Sequence, residues 1–323
     1  MRASIVACAE KKTAAKLALD VFSVQSGGMR WADGFIAVDW GTTNRRAYRI
    51  DHHGTCVSVI EDDCGVLAVA PDGFPTAADD IRARLGNLPL LLAGMVGSTR
   101  GWVEAPYVSC PAGLDELARD LSWVEPGRVA IIPGLAIRTE GHADVMRGEE
   151  VQLFGALAAG LIPATSFVCH PGTHNKWVTV EDGRITAFRT VMTGEMFNML
   201  RAGGVLAELL TGDVTPGDAF REGVRRGLGT PTLTAELFSV RARVLLGKMP
   251  RESAASYTSG LLVGADLAVG LGLAAGSDII IMGRPELTSL YAAGAAEAGH
   301  PAREIDGGAA FLAGAVAIAR TLT

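Results

Sequence analysis

Residues 36–49 read IAVDWGTTNRRAYR, an apolar run ending in an acid, a Gly-Thr-Thr-Asn turn, and a second run opened by two arginines. The flanking runs predict two strands, and the turn gathers Gly41, Thr42, Thr43 and Asn44 at one point. Glycine lets a backbone approach a ligand closely, and converging N–H and hydroxyl groups make a cradle for an anion. Nearly the same turn returns in residues 167–178, FVCHPGTHNKWV, with Gly172, Thr173, His174 and Lys176. Two residues before the glycine, the first turn carries Asp39 and the second His170. Two carboxylates would repel a polyphosphate; one can hold it through a divalent cation that keeps much of its water. Asp39 is therefore the candidate metal-side residue. The competing reading is that Asp39 caps its turn.

Working outward, FIAVDWG, RAYRID and CVSVIED predict three strands, followed by a helix near 76–86 and the apolar strand LPLLLAGMVG. VAIIPGLAI at 129–137 reads as one further strand and 149–160 as a helix. The second half restarts with TSFVCHPGT, KWVTVEDG and RITAFRTVM, where Asp182-Gly183 marks a hairpin turn. Several helices follow over about 195–275, then the buried-strand signal DIIIMG, a helix near 286–298 and a C-terminal apolar helix. Both halves place a Gly-Thr-x-Asn-basic turn between their first two strands. That placement favours a duplicated domain over coincidence, at a spacing too long for a solenoid.

Composition narrows the function. The chain has 323 residues, suited to two domains, with 40 glycines and a formal net charge of −6. No basic patch stands out, so nucleic acid and membrane surfaces are disfavoured as partners. No uncharged apolar stretch of about 18 residues is evident, and no transmembrane helix is expected. Five scattered cysteines, with no CxxC, predict reduced thiols and a cytoplasmic setting. Residues 1–33 are read apart as a poorly ordered leader, with an amphipathic helix suited to 13–24 and Met29 as an alternative start. Pattern excludes a P-loop, and GLGLAAG at 270–276 has the wrong spacing for a dinucleotide fingerprint.

The blocks VDWGTTNRRA, AGMVGSTRGW, IIPGL, VMRGEEVQLFGA, PGTHNKWV and FRTVMTGE together resemble the 2-dehydro-3-deoxygalactonokinase family of the sugar kinase/hsp70/actin superfamily. The resemblance is dense from about residue 34 to 195 and looser beyond. It implies an α/β fold of two duplicated ribonuclease H-like (actin-like ATPase) domains, 34–160 and 161–323, with a cleft between them. It further implies ATP and Mg²⁺, and phosphorylation of a 2-keto-3-deoxy sugar acid at its terminal hydroxyl. A homodimer is left open. So are a different sugar-acid substrate, such as the gluconate-configured epimer, and a phosphohydrolase or nucleotide-binding sensor on the same fold.

Phosphoryl transfer needs a group that accepts the hydroxyl proton. By analogy with the superfamily, where an acid after glycine opens the equivalent helix, Glu149 is the candidate base and Glu150 the alternative. Both also read as ordinary first-turn helix acids, stabilised there by the dipole. A keto-acid substrate suits an arginine clamp, and Arg46, Arg100, Arg147 and Arg189 lie in or beside the family-like blocks. The loop GMVGSTRGW, with Ser98, Arg100 and Trp102, reads as substrate-facing. Lys176 could neutralise phosphate charge. Gly283 and Arg284, at a strand-to-helix turn, are carried over as adenosine contacts.

Overall fold

The computed structural model describes Trp31 and residues 33–322. The reading of residues 13–24 as a helix lies outside the described residues. Two compact units are present, one running to Ile162 and resuming at Gly308, the other spanning Pro163–Gly307.

In the first unit, β1 (Phe35–Trp40), β2 (Arg45–Ile50) and β3 (Cys56–Asp62) form an antiparallel meander. Helix α1 (Phe74–Leu85) leads to β4 (Leu90–Gly94), parallel to β1. After β5 (Tyr107–Ser109) and α2 (Leu114–Arg119), β6 (Ser122–Glu125) and β7 (Val129–Ile131) complete a sheet ordered β3-β2-β1-β4-β7-β6. Alternate residues Ile36, Val38 and Trp40 meet Leu90, Leu92, Val129 and Ile131 on its buried face. Against them α1 turns Phe74, Ala78, Ile81 and Leu85, the single apolar stripe that helical spacing provides.

The strand expected over 129–137 is two strands. Pro133 has no N–H to continue a ladder, and the chain leaves β7 there to enter β8 (Gly134–Thr139). β8 pairs with β5 and with β9 (His142–Met146) in a separate three-stranded sheet. Helix α3 (Glu149–Ala158) follows, and α9 (Gly307–Thr321) lies against it from Gly308 on. The two backbones touch: a Cβ on Gly155 would fall 1.9 Å from the Ala310 carbonyl oxygen, and one on Gly314 2.0 Å from that of Val151. The end of the chain thus belongs to the first unit, where the sequence reading assigned it to the 161–323 domain. Only this long-range packing reveals the return.

The second unit opens with the antiparallel strands β10 (Ser166–His170), β11 (Asn175–Glu181) and β12 (Arg184–Val191). Four helices follow: α4 (Thr193–Ala202), α5 (Asp218–Gly229), α6 (Leu233–Leu245) and α7 (Ala254–Ala274). β13 (Ile279–Gly283) then pairs parallel with β10, and after α8 (Pro285–Glu297), β14 (Arg303–Asp306) closes the order β12-β11-β10-β13-β14. The glycines of this region serve helix contact. Gly223 and Gly227 on α5 meet the backbone of α7 near Tyr257 and Leu261, while Gly260 and Gly264 meet α5 in return. By length and composition α7 could cross a membrane, although Asp266 interrupts its apolar run. Yet 67% of its apolar window is buried within the protein, as in a core helix.

The architecture is α/β with mixed parallel and antiparallel sheets. Cys56, Cys110 and Cys169 are free thiols.

Candidate active site

In the first unit, β1 delivers Asp39 one residue before its end, in register with Arg46 on β2 and Ala93 on β4. The turn that follows is closed by the Gly41 N–H donating to the Asn44 carbonyl at 2.9 Å. Its carbonyls are occupied from behind: Gly65, Val66 and Leu67 donate to Thr43, Gly41 and Thr42. The N–H groups of Thr42 and Thr43 have no protein acceptor among the described residues, and both residues are exposed. This polarity is the one an anion cradle needs, with acceptors tied back and donors left without a protein acceptor among the described residues. The Asn44 side chain is committed elsewhere, its Nδ2 donating to Asp63 Oδ1 at 3.0 Å and its Oδ1 accepting from the Thr43 hydroxyl.

Gly94 ends β4 beside Asp39. A Cβ there would sit 3.5 Å from Asp39 Oδ1 and 2.9 Å from the Trp40 carbonyl oxygen, at a φ of +89° that L side chains rarely adopt. Gly148, at φ +110°, packs on Gly94 in turn, its added Cβ falling 3.3 Å from the Gly94 Cα. Because Gly148 caps α3, this contact brings the two acids of that helix's first turn to the Asp39 end of the sheet.

The two acids differ sharply. Glu150 is fully buried, and both its carboxylate oxygens accept from the Gly148 N–H, at 2.8 and 2.7 Å. Burial, then the neighbouring charge of Glu149, push its carboxyl up to about 8. Glu149 is partly exposed, with Oε2 accepting from the Arg147 N–H at 3.0 Å. Of the pair, Glu149 is the one reachable from solvent.

Arg147 reaches back across the small sheet. Its Nη2 donates to the Ala105 carbonyl at 2.7 Å and its guanidinium lies 4.2 Å from the Tyr107 ring centroid. Its Nε and Nη1 have no protein partner among the described residues. Gly97 lies against it, since a Cβ there would come 2.8 Å from Nη1. The 98–102 loop is folded on itself: the Ser98 hydroxyl donates to the Met95 carbonyl, and the Trp102 N–H to that of Val96. Trp102 stacks with Phe74 at 6.4 Å, partly buried against the core, while Arg100 is exposed. Arg46 forms a cross-strand pair with Glu61, both of its bonds reaching Oε1. Its neighbour Arg45 is buried in a two-point pair with Asp62, to which Arg84 also donates.

In the second unit, β10 and β11 bracket the second turn, with His170 opposite Lys176. The N-terminus of α4 presses on it: a Cβ on Gly194 would come 2.4 Å from the Gly172 carbonyl oxygen, and the Glu195 N–H donates to Thr173 at 2.9 Å. His174 pairs with the Glu195 carboxylate. Lys176 is buried, its Nζ donating to the His174 carbonyl at 3.3 Å. Gly283 ends β13 beside the same turn, its added Cβ 3.5 Å from the Pro171 carbonyl oxygen, and exposed Arg284 begins α8. The turn residues and the strand-to-helix glycine, distant in sequence, are thus neighbours in this unit.

Beneath the turn lies a group that the sequence reading did not single out. Asp266 of α7, 1% exposed, accepts from Asn175 Nδ2 at 2.9 Å, Trp177 Nε1 at 2.7 Å, and the hydroxyls of Thr193 and Tyr291. Burial raises its carboxyl, against four hydrogen bonds that favour the charged form. Its one signal in the sequence is a lone acid inside an apolar helix. Gly94 was likewise unread as a site residue, though a glycine ending an apolar strand was its mark.

A model of the family described as 2-keto-3-deoxy-galactonokinase matches residues 39–318. The chain belongs to this family. It is 40% identical over 238 residues to the 2-dehydro-3-deoxygalactonokinase of Escherichia coli (strain K12), covering 72% of this chain and 79% of that protein. A crystal structure from Sinorhizobium meliloti, described as a candidate 2-dehydro-3-deoxygalactonokinase, is similar at a TM-score of 0.83 and 36% identity. It covers 89% of this chain and 99% of that one. The activator of 2-hydroxyisocaproyl-CoA dehydratase from Clostridium difficile, solved with ADPNP, has a TM-score of 0.50 at 10% identity. It covers 90% of this chain and 95% of that one, a likeness of fold alone. The matched span of the 2-keto-3-deoxy-galactonokinase family begins at Asp39 itself and takes in both turns, Gly94, the Gly148-Glu149-Glu150 helix start and Asp266.

No cluster of three or more metal-ligating side chains occurs among the described residues. Mg²⁺ binds through one or two carboxylates, substrate phosphates and water rather than an all-protein cage. Asp39, beside a turn whose Thr42 and Thr43 N–H groups have no protein acceptor among the described residues, fits that mode in a chain of this kinase family.

Proposed function

We propose that this chain is an ATP- and Mg²⁺-dependent kinase that phosphorylates 2-dehydro-3-deoxy-D-galactonate at its 6-hydroxyl, giving 2-dehydro-3-deoxy-6-phospho-D-galactonate. The duplicated ribonuclease H-like halves, a nucleotide cleft and a cytoplasmic location are part of the proposal. The observation that carries it is the Asp39–Gly94–Gly148 contact in a chain of this family. It sets a partly exposed acid, Glu149, at the same sheet end as the acid suited to a magnesium ion.

In this reading the turn at Gly41, Thr42, Thr43 and Asn44 holds nucleotide phosphate through the Thr42 and Thr43 N–H groups. Gly172, Thr173, His174 and Lys176 supply the second phosphate turn, and Gly283 and Arg284 contact the adenosine. When bound at Asp39, Mg²⁺ would neutralise phosphate charge. Glu149 takes the proton of the 6-hydroxyl as that oxygen bonds to the γ-phosphorus, and the bond to the β-phosphate oxygen breaks with its electron pair leaving on ADP. Glu150, bound twice to the Gly148 N–H, fixes the start of the helix. Arg147, with two guanidinium nitrogens unpartnered, and Arg100 are the candidates for the substrate carboxylate. Ser98 and Trp102 shape their loop, and Arg46 acts through its cross-strand position opposite Asp39.

A coupled ADP-release assay across a panel of 2-keto-3-deoxy sugar acids tests the reading. The galactonate-configured acid is expected to give the highest kcat/KM. A preference for another acid reassigns the substrate, and phosphate release without sugar overturns the kinase reading.

A further inference from the structure

A buried carboxylate with four donors needs a reason, because a carboxylate inside an apolar helix is costly unless fully satisfied. The donors to Asp266 come from three separate elements, and two of them frame the second turn. Asn175, itself wholly buried, closes the turn and begins β11; its other side-chain atom, Oδ1, accepts from the Cys169 thiol. Its amide is therefore consumed in holding position and is not offered outward. Thr193 opens α4 and immediately precedes Gly194 and Glu195, the residues whose backbones press on Gly172 and Thr173. One carboxylate thus grips the turn at its closing residue and, through α4, at its first two residues. Trp177 and Tyr291 hold that carboxylate from β11 and α8, and Gly270 of α7 abuts the Trp177 ring, which fixes the helix against the strand.

We propose that Asp266 is a positioning residue for nucleotide binding: it sets the conformation of the 172–175 turn, and so its affinity for phosphate, without touching the ligand. This rests on the reading of that turn as a phosphate site. A carboxylate serves where an amide would serve less well, since all four partners donate and a carboxylate only accepts. Asp266→Asn preserves shape but turns one acceptor into a donor facing the Thr193 and Tyr291 hydroxyls. Thr193→Val removes one donor at nearly constant volume.

The test measures ADP affinity by calorimetry, the KM values for ATP and the sugar acid, and the urea midpoint, for the full-length wild type and both variants. Both variants are expected to raise the ADP Kd and the KM for ATP about tenfold, which is about 1.4 kcal/mol. The KM for the sugar acid should stay within about twofold, a split that a general loss of packing would not produce. Unchanged ADP affinity in a folded variant, or equal rises for both substrates, overturns the proposal and leaves Asp266 a stabilising residue only. Should Asp266→Asn fail to fold, Thr193→Val decides by the same criteria. A wild-type protein that binds no ADP overturns the underlying phosphate reading, and this proposal with it; wild-type binding with unaltered variants overturns this proposal alone.

Discussion

Gly148 lies against Gly94: a Cβ on Gly148 would make a tight contact 3.3 Å from the Gly94 Cα, and one on Gly94 would fall 2.9 Å from the Trp40 carbonyl oxygen, too close to fit without a shift. Both residues have positive φ, so alanine would add backbone strain to the steric conflict. Gly94→Ala and Gly148→Ala are each expected to cost about 1–3 kcal/mol from the positive-φ backbone alone. Turnover should fall further than stability does, because the displaced residues carry Asp39 and Glu149. Urea midpoints measured beside kcat check this; full activity in either variant would show that the close approach is not needed.

Removing the proposed base separates binding from chemistry. Glu149→Gln is expected to lower kcat by about 10²–10⁴-fold, the range for a lost general base, with ADP affinity preserved. Turnover near the wild-type value would remove Glu149 from that role.

The carboxyl of Glu150 gives the protein a stability that depends on pH. Its value rises from the ordinary 4.5 to about 8 on folding, so between those limits the folded state binds more proton than the unfolded one. Stability contributed by this group is therefore lost as pH rises through the window, at up to about 1.4 kcal/mol per pH unit. Urea unfolding at several pH values should show that slope in the wild type and a flatter profile in Glu150→Gln. Equal slopes would refute the assignment.

Arg45 and Asp62 make the opposite case. Both are buried, and Arg45 binds both carboxylate oxygens, which helps hold the Asp62 carboxyl below its usual value despite desolvation. Arg45→Met should destabilise by about 3 kcal/mol, the low end for breaking a buried pair because Arg84 still reaches Asp62. In the wild type the contribution of Asp62 is fully present above about 3.8 and fades as pH falls through the lower folded value. Acid unfolding of Asp62→Asn beside the wild type measures that part, and a coincident pair of curves would contradict it.

Local chemistry made much of this protein readable. Alternating apolar residues and a polar turn announced β1 and β2, and the repeated Gly-Thr-x-Asn pattern located both turns, because strand period and turn preference act over a few residues. The same logic failed where one apolar run was divided between two sheets at Pro133. It also gave no difference between Glu149 and Glu150, which only the family resemblance ranked, since adjacent acids look alike until one is buried and the other is not.

Residue pattern was enough for the main strands and helices, the two turns and the single acid that distinguishes them. Tertiary structure alone decided that Gly94 and Gly148 would bring the start of α3 beside Asp39, that α9 would return to pack on α3, and that Asp266 would sit under the second turn. Those outcomes depend on contacts between segments far apart in the chain, settled by close packing and by the need of each buried polar group for a partner. A pattern of neighbouring residues carries no record of either.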